Sequence, residues 1–121
     1  MKLSSLPNSP SNLSLGFDIG GTNIRGLGLG SRGETTKLYQ KSHLSELDNI
    51  IDSILNIYKE IQLDTGKQIE SIGIGCAGLI DTEGVVRASP NILALENFPL
   101  KEAIEEKVEV SVTVENDANC A

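Results

Sequence analysis

A chain of 121 residues can build one domain with its own core, and 39% hydrophobic residues with only 3% aromatics predict that this core is aliphatic. Seventeen acidic against ten basic side chains give a net charge of -7, with no Lys/Arg cluster to offset it. That argues against a nucleic-acid partner, whose phosphates demand a basic surface, and no apolar run reaches membrane-spanning length.

The opening MKLSSLPNSPSNLS has one Lys and no apolar run behind it, unlike a signal peptide, so the expected address is the cytoplasm. Its Ser, Pro and Asn content predicts a mobile tail over residues 1–12, ahead of a single domain over 13–121. From Leu13 the pattern alternates strictly, with Leu13, Leu15, Phe17 and Ile19 on one face, which predicts a strand. Gly20-Gly21-Thr22 marks a turn. A second strand follows over 23–29, with Leu27 and Leu29 on one face and Gly26, Gly28 and Gly30 leaving the other bare enough for a backbone or ligand to approach. A third strand, 35–41, completes an antiparallel meander.

Apolar residues at Leu47, Ile50, Ile51, Ile54, Tyr58 and Ile61 carry helical spacing, predicting a helix over 44–63 with Ser45 as N-cap and Gly66 past its end. The lone His43 ahead of it reads as a solvated loop residue. Residues 70–76 predict a strand with Ile72 and Ile74 inward and Gly73 and Gly75 opposite. A small hairpin at 85–88, a short helix from Pro99 to about Lys107, and a last alternating strand over 108–114 follow. Strands joined by helical crossovers predict an α/β domain: a mixed sheet with an antiparallel three-strand meander plus parallel strands flanked by helices. The final NDANCA reads as a strand end turning into a helix start, capped by Asn116 and continuing beyond Ala121. Cys76 and Cys120 lack metal-ligand spacing, and Cys76 reads as a small buried hydrophobe that needs no disulfide.

Three segments carry chemistry. FDIGGTNIRG, residues 17–26, puts an acid at a strand end before two glycines and a hydroxyl. Backbone N–H groups in such a turn can face an anion, with Thr22 adding a donor and Asp18 positioned for Mg²⁺, although an ordinary hairpin would also use Gly-Gly. It is neither a P-loop, since no GK[ST] follows, nor a dinucleotide fingerprint, since a strand comes next. IGIGCAGLIDTEG, residues 72–84, lines a strand with glycine, which fits either ligand passage or tight packing on the glycines of the second strand. VTVENDANCA places Asp117 just past a hydrophobic strand. There a carboxylate can take a proton from a hydroxyl or simply favour a helix start.

Taken together and in this order, these motifs resemble the ROK family of bacterial sugar kinases and repressors, within the actin-like ATPase (ribonuclease H-like) superfamily. The resemblance runs from about Gly16 to Ala121: DIGGTNIRG for the first phosphate loop, IGIGCAGLID for the glycine strand and turn, SPNI and NFPL for the sugar-side loop, and VENDANCA for the catalytic segment. It implies that Asp18, Gly20, Gly21, Thr22 and Asn23 face the ATP phosphates and Mg²⁺. It implies further that Gly78, Asn91 and Asn116 contact sugar hydroxyls and that Asp117 is the catalytic base, acting on a hexose such as glucose at its C6 hydroxyl. No structural metal is implied in this chain. A second lobe would carry a cysteine-rich zinc motif, sugar-contacting Glu and His residues and the adenosine site, so this lobe alone would be nearly inactive. A homo-oligomeric whole enzyme is implied, and the Ile-rich helix surface is expected to face that second lobe. Ala77 stands where the family usually has proline, and Leu95 lies near a frequent Trp; both bear on which sugar is bound. The family's other classes, a sugar-responsive transcriptional regulator or a non-catalytic sugar-binding module, are the alternatives. The short polar start leaves no room for a helix-turn-helix, which disfavours the regulator.

Overall fold

A computed structural model describes residues 12–43 and 45–117. Chain order gives strands β1 (Asn12–Ile19), β2 (Asn23–Gly30) and β3 (Tyr39–Ser42), helix α1 (Leu47–Thr65) and strand β4 (Gln68–Cys76). A small pair, β5 (Leu79–Ile80) and β6 (Val86–Ala88), comes next, then helix α2 (Leu100–Glu105) and strand β7 (Ser111–Asn116). The main sheet has the order β3-β2-β1-β4-β7. β1, β2 and β3 pair antiparallel, as a meander must, while β4 runs parallel to β1 and β7 parallel to β4. The mixed α/β sheet expected from the sequence is therefore present.

One face of this sheet builds the core. Leu13, Leu15, Phe17 and Ile19 of β1, Ile72 and Ile74 of β4 and Val112 and Val114 of β7 are all buried against Ile50, Ile54, Ile57 and Ile61 of α1 and Leu100 and Ile104 of α2. Each fully buried Ile contributes about 1.5–3 kcal/mol by leaving water, so α1 is anchored by its isoleucines and not by a cap. This corrects the expectation that the Ile-rich helix surface awaits another lobe: it is already covered by the chain's own sheet.

The glycines divide between the two faces in a way the spacing did not reveal. Gly26 and Gly28 of β2 point into the core, and their space is filled by neighbouring side chains. A Cβ at Gly26 would stand 2.8 Å from the Phe17 ring and 3.2 Å from Ile57, and one at Gly28 3.1 Å from Leu13. The face expected to stay bare is thus packed, and Leu29 is the half-exposed residue. Nor do the glycines of β4 pack on those of β2, because β1 lies between the two strands. Gly73 instead has Thr113 of β7 and the Leu15 carbonyl as its nearest neighbours, on the face away from the helices.

Element ends shift for local reasons. Regular β3 pairing starts at Tyr39 and not Thr35, since the Gly28 N–H donates to the Thr36 hydroxyl (2.8 Å) in place of a backbone carbonyl. α1 starts at Leu47, with Glu46 and not Ser45 at the capping position and no side-chain cap. Its end is as expected: Gly66, at φ 67, donates its N–H to Gln62 O. β7 begins at Ser111 because Lys107 and Val108 still donate to Ile104 O, tying them to the end of α2. Residues 1–11 of the expected tail, Cys120 and the helix start beyond Asp117 lie outside the described residues.

Candidate functional site

Because β1, β4 and β7 are parallel and adjacent, their C-terminal ends share one edge of the sheet. The register aligns Ile19 with Cys76 and Cys76 with Asn116. The Gly20–Asn23 loop, the Ala77-Gly78 turn and Asp117 all follow these residues directly, so the three segments singled out in the sequence meet there. Three neighbouring strands span two inter-strand gaps of about 4.8 Å, which puts the first and third segments on the order of 10 Å apart. That separation suits a phosphate group held at one side and a hydroxyl activated at the other.

The first segment is a tight loop, closed by the Gly20 N–H donating to Asn23 O (2.8 Å). The carbonyls of its first three residues are engaged too: Gly20 O by the His43 ring (2.7 Å), Gly21 O by the Ser45 hydroxyl (3.0 Å) and Thr22 O by the His43 N–H (3.0 Å). Among the described residues no acceptor takes the Gly21 or Thr22 N–H, and both residues are exposed. Two adjacent N–H groups with their carbonyls tied behind them form a concavity suited to an anion. The Asn23 amide donates to the Thr22 hydroxyl (3.3 Å), leaving that hydroxyl able to donate onward.

The second and third segments lock together. The Asn116 side-chain amide donates to Gly78 O (2.6 Å). Gly78 sits at φ 134, where only glycine is comfortable, and a Cβ there would fall on the Ala88 carbonyl oxygen. This close approach joins the β4 turn to the β5–β6 pair, whose exit leads through buried Ser89 to exposed Asn91. The pair's loop is held by Asp81, which accepts the N–H groups of Val85 and Glu83 and the Arg87 guanidinium. These bonds, the Val85 N–H foremost, hold the Asp81 carboxyl below the usual range. No hydrogen bond joins Asn91 to Gly78 or Asn116 among the described residues. What Asn91 shares with them is the loop's location.

Asp18 lies on the sheet face opposite the core, loosely paired with Arg25 (3.5 Å) and half exposed. Gly75 is its partner on β4, and Glu115 is the next partner across on β7. Two carboxylates thus flank a bare glycine, with exposed Asp117 just beyond the same strand. No group of three or more His, Cys, Asp or Glu suited to a metal occurs among the described residues. Asp18 therefore fits Mg²⁺ only as Mg²⁺ is commonly held, by one or two carboxylates with phosphate oxygens and water completing the shell.

Three residues on this edge carry more than the sequence reading gave them. His43 is no solvated loop residue: it is 0% exposed and bonded at both ring nitrogens, accepting the Ser45 N–H at Nδ1 (2.8 Å). Its burial follows from β3, which carries the chain back beside the loop so that Ser42 pairs with Asn23. Ser45, expected to cap α1, turns the other way at φ 57 to reach Gly21 O. Glu115 also went unremarked; strand alternation past Val114 was the signal that could have placed it opposite Asp18.

Known proteins resemble this chain in sequence and in fold. The sequence profile of the ROK family matches residues 14–121. A glucokinase of Streptomyces coelicolor is 34% identical over 110 residues, covering 90% of this chain and 34% of that protein. An N-acetyl-D-glucosamine kinase of Vibrio parahaemolyticus is 31% identical over 109 residues, covering 87% and 35%. The crystal structure of a ROK family glucokinase from Streptomyces griseus, in complex with glucose and AMPPNP, superposes with a TM-score of 0.78 at 33% identity, over 88% of this chain and 34% of that one. The chain spans about a third of the length of the relatives it matches, and with the fold, the motif order and the profile in agreement it belongs to the ROK family.

Proposed function

We propose that this chain is the lobe of an ATP-dependent sugar kinase that holds the nucleotide's phosphates and presents a hexose hydroxyl to them, glucose and its 2-amino derivatives being the first candidates. The observation that carries this reading is the convergence of the Gly20–Asn23 loop, the Asn116–Gly78 lock and Asp117 at one sheet edge. Its relatives, a glucokinase and an N-acetyl-D-glucosamine kinase, support sugar phosphorylation and differ in the sugar.

In this reading the Gly21 and Thr22 N–H groups and the Thr22 hydroxyl receive phosphate oxygens. Asp117 accepts the proton of the sugar hydroxyl as that oxygen attacks the γ-phosphorus in line. Asp18 would help hold Mg²⁺, which when bound neutralises charge on the phosphates. Asn116 gives an amide N–H to Gly78 O and so fixes the turn beside the sugar, while Gly78 shapes the wall and exposed Asn91 offers donor and acceptor together. The adenosine end of the nucleotide and the far side of the sugar require surfaces beyond this chain, so the chain alone should turn over little sugar. Cytoplasmic residence and a homo-oligomeric whole protein complete the proposal.

The test is ADP release by the whole protein on glucose, mannose and N-acetylglucosamine, with Asp117→Ala alongside. Sugar-dependent release that falls by two to four orders of magnitude in the variant, the usual worth of a general base, supports the reading and names the sugar. Sugar binding without release, equal in both proteins, would replace it with a sensor or binding module.

A further inference from the structure

His43 and Ser45 touch the Gly20–Asn23 loop at three successive carbonyls. The His43 ring bonds Gly20 O at 2.7 Å, the Ser45 hydroxyl bonds Gly21 O at 3.0 Å and the His43 N–H bonds Thr22 O at 3.0 Å. The ring is completely buried, and its second nitrogen is also committed: Nδ1 faces the Ser45 N–H at 2.8 Å, and an N–H can only donate. Nδ1 is therefore the acceptor, which leaves the ring proton on Nε2, pointing at Gly20 O. A single tautomer satisfies both contacts. Ser45 holds its side in a left-handed conformation at φ 57, a conformation that costs a non-glycine residue free energy. Neither the tautomer nor the left-handed serine is needed for the core, which α1 closes with its isoleucines.

What this arrangement accomplishes lies in the peptide planes. A peptide unit carries its C=O and its N–H on opposite sides, so fixing the carbonyls of Gly20 and Gly21 fixes the directions of the Gly21 and Thr22 N–H groups. Those are the two N–H groups that remain without an acceptor among the described residues. Glycine is the residue whose peptide planes turn most freely, so a Gly-Gly loop gains most from being held. An anion site formed by backbone N–H groups binds in proportion to how little must be ordered on binding.

We propose that His43, with Ser45 as its partner, is a positioning residue of the phosphate loop: it ties the loop's carbonyls back so that the intervening N–H groups stay aimed at a nucleotide phosphate. The contact itself stands on geometry; that the anion is a nucleotide phosphate rests on the kinase reading above.

Two measurements separate these layers. The first is a long-range ¹H–¹⁵N spectrum of the His43 ring, the chain's single histidine, in the unliganded 121-residue chain. A protonated Nε2 with an unprotonated Nδ1, in one tautomer, is the expected result; the reverse tautomer, or averaging between the two, overturns the contact whatever the protein does. The second is steady-state kinetics of the whole protein with His43→Ala, His43→Asn and His43→Gln. A glutamine amide reaches where Nε2 does and can donate to Gly20 O, whereas an asparagine amide reaches only the Nδ1 position. Ala and Asn are expected to raise KM for ATP about tenfold, the worth of one such bond to a preorganised site, with KM for the sugar unchanged and Gln recovering most of the loss. Equal defects in all three variants, or parallel changes in the two KM values, overturn the positioning role. A wild-type protein that turns over no sugar with ATP refutes the kinase reading alone and leaves the ring spectrum to decide the contact.

Discussion

Replacing Gly26 by alanine tests whether the inward-facing glycine of β2 is a space-filling requirement. The added methyl would lie 2.8 Å from the Phe17 ring carbons and 3.2 Å from the Ile57 Cγ2, against the roughly 3.5–4.0 Å of a relaxed carbon contact. The ring must therefore withdraw by about 1 Å inside a packed core, where overpacking by a single carbon costs about 1–3 kcal/mol. Against that stands the stiffening of the unfolded chain when glycine becomes alanine, worth about 0.4–1 kcal/mol. The net expectation is a loss of about 1–2 kcal/mol. At about 2.1 cal/mol/K of unfolding entropy per residue, this corresponds to a Tm lower by about 4–8 °C. Equilibrium urea unfolding followed by circular dichroism gives the free energy directly. Gly16→Ala on the neighbouring strand is the control, since no atom stands within 4 Å of its Cβ position and only the stiffening should appear. Phe17→Leu, which withdraws the ring, should cost the Gly26→Ala protein at least 1 kcal/mol less than it costs the parent. An unfolding free energy for Gly26→Ala within a few tenths of the parent, or strictly additive effects in the double variant, would refute the packing argument.

Three further expectations follow from contacts elsewhere in the domain. Gly78→Ala combines a glycine-only backbone conformation with a methyl placed on the Ala88 carbonyl, so a loss of about 2–3 kcal/mol is expected, with faster amide exchange at Val86 and Ala88 as the β5–β6 pair detaches. The Tyr39 hydroxyl donates to Asp64 (2.6 Å), and that bond, with burial and the Asp64 charge, pushes its pKa up to about 12. A folded pKa above the unfolded value of about 10 means stability intact below pH 10 and lost as the pH rises through 12; urea midpoints at pH 9 and 11.5 should fall more for the parent than for Tyr39→Phe. Glu105 accepts the Val112 N–H and pairs with Lys101, and like Asp81 it is held below its ordinary value, chiefly by the backbone donor. Depressed carboxyls stabilise above their unfolded pKa and cease to as the pH falls through the folded one, so acid unfolding between about pH 5 and 3 should be shallower in Glu105→Gln and Asp81→Asn.

The sequence was most legible where a single period governs one element. The alternation of Leu13, Leu15, Phe17 and Ile19 and the spacing of Ile50, Ile54 and Ile61 reflect one buried face each, and both elements form as read. The three motifs were legible as chemistry because glycine pairs and an acid at a strand end are rare enough to notice together. What stayed hidden depended on partners remote in the chain. Whether Gly26 faces in or out is decided by Phe17, nine residues earlier and on another strand, and by Ile57 on a helix. His43 looked solvated because its partners, Gly20 and Thr22, become neighbours only when β3 folds back on β2. The beginnings of α1 and β7 slipped by a few residues because Ser45 and Val108 form hydrogen bonds with Gly21 and Ile104 in preference to continuing a regular element.

The parallel placement of β7 beside β4 also sets a timetable. The Gly20–Asn23 loop needs only β1, β2, β3 and the His43 segment, all encoded within the first half of the chain, whereas Asp117 comes ~100 residues after Gly20. A ribosome adding roughly 5–20 residues per second emits that stretch over about 5–20 s, ample for a local meander and helix to settle. The half of the site that would grip phosphate thus emerges from synthesis well before the carboxylate that would use it. β7 then joins by parallel pairing to β4, a long-range step that closes a loop and is slow by nature. The Asp117 end of the sheet is thus built after the loop's end, onto a scaffold already in place to receive it.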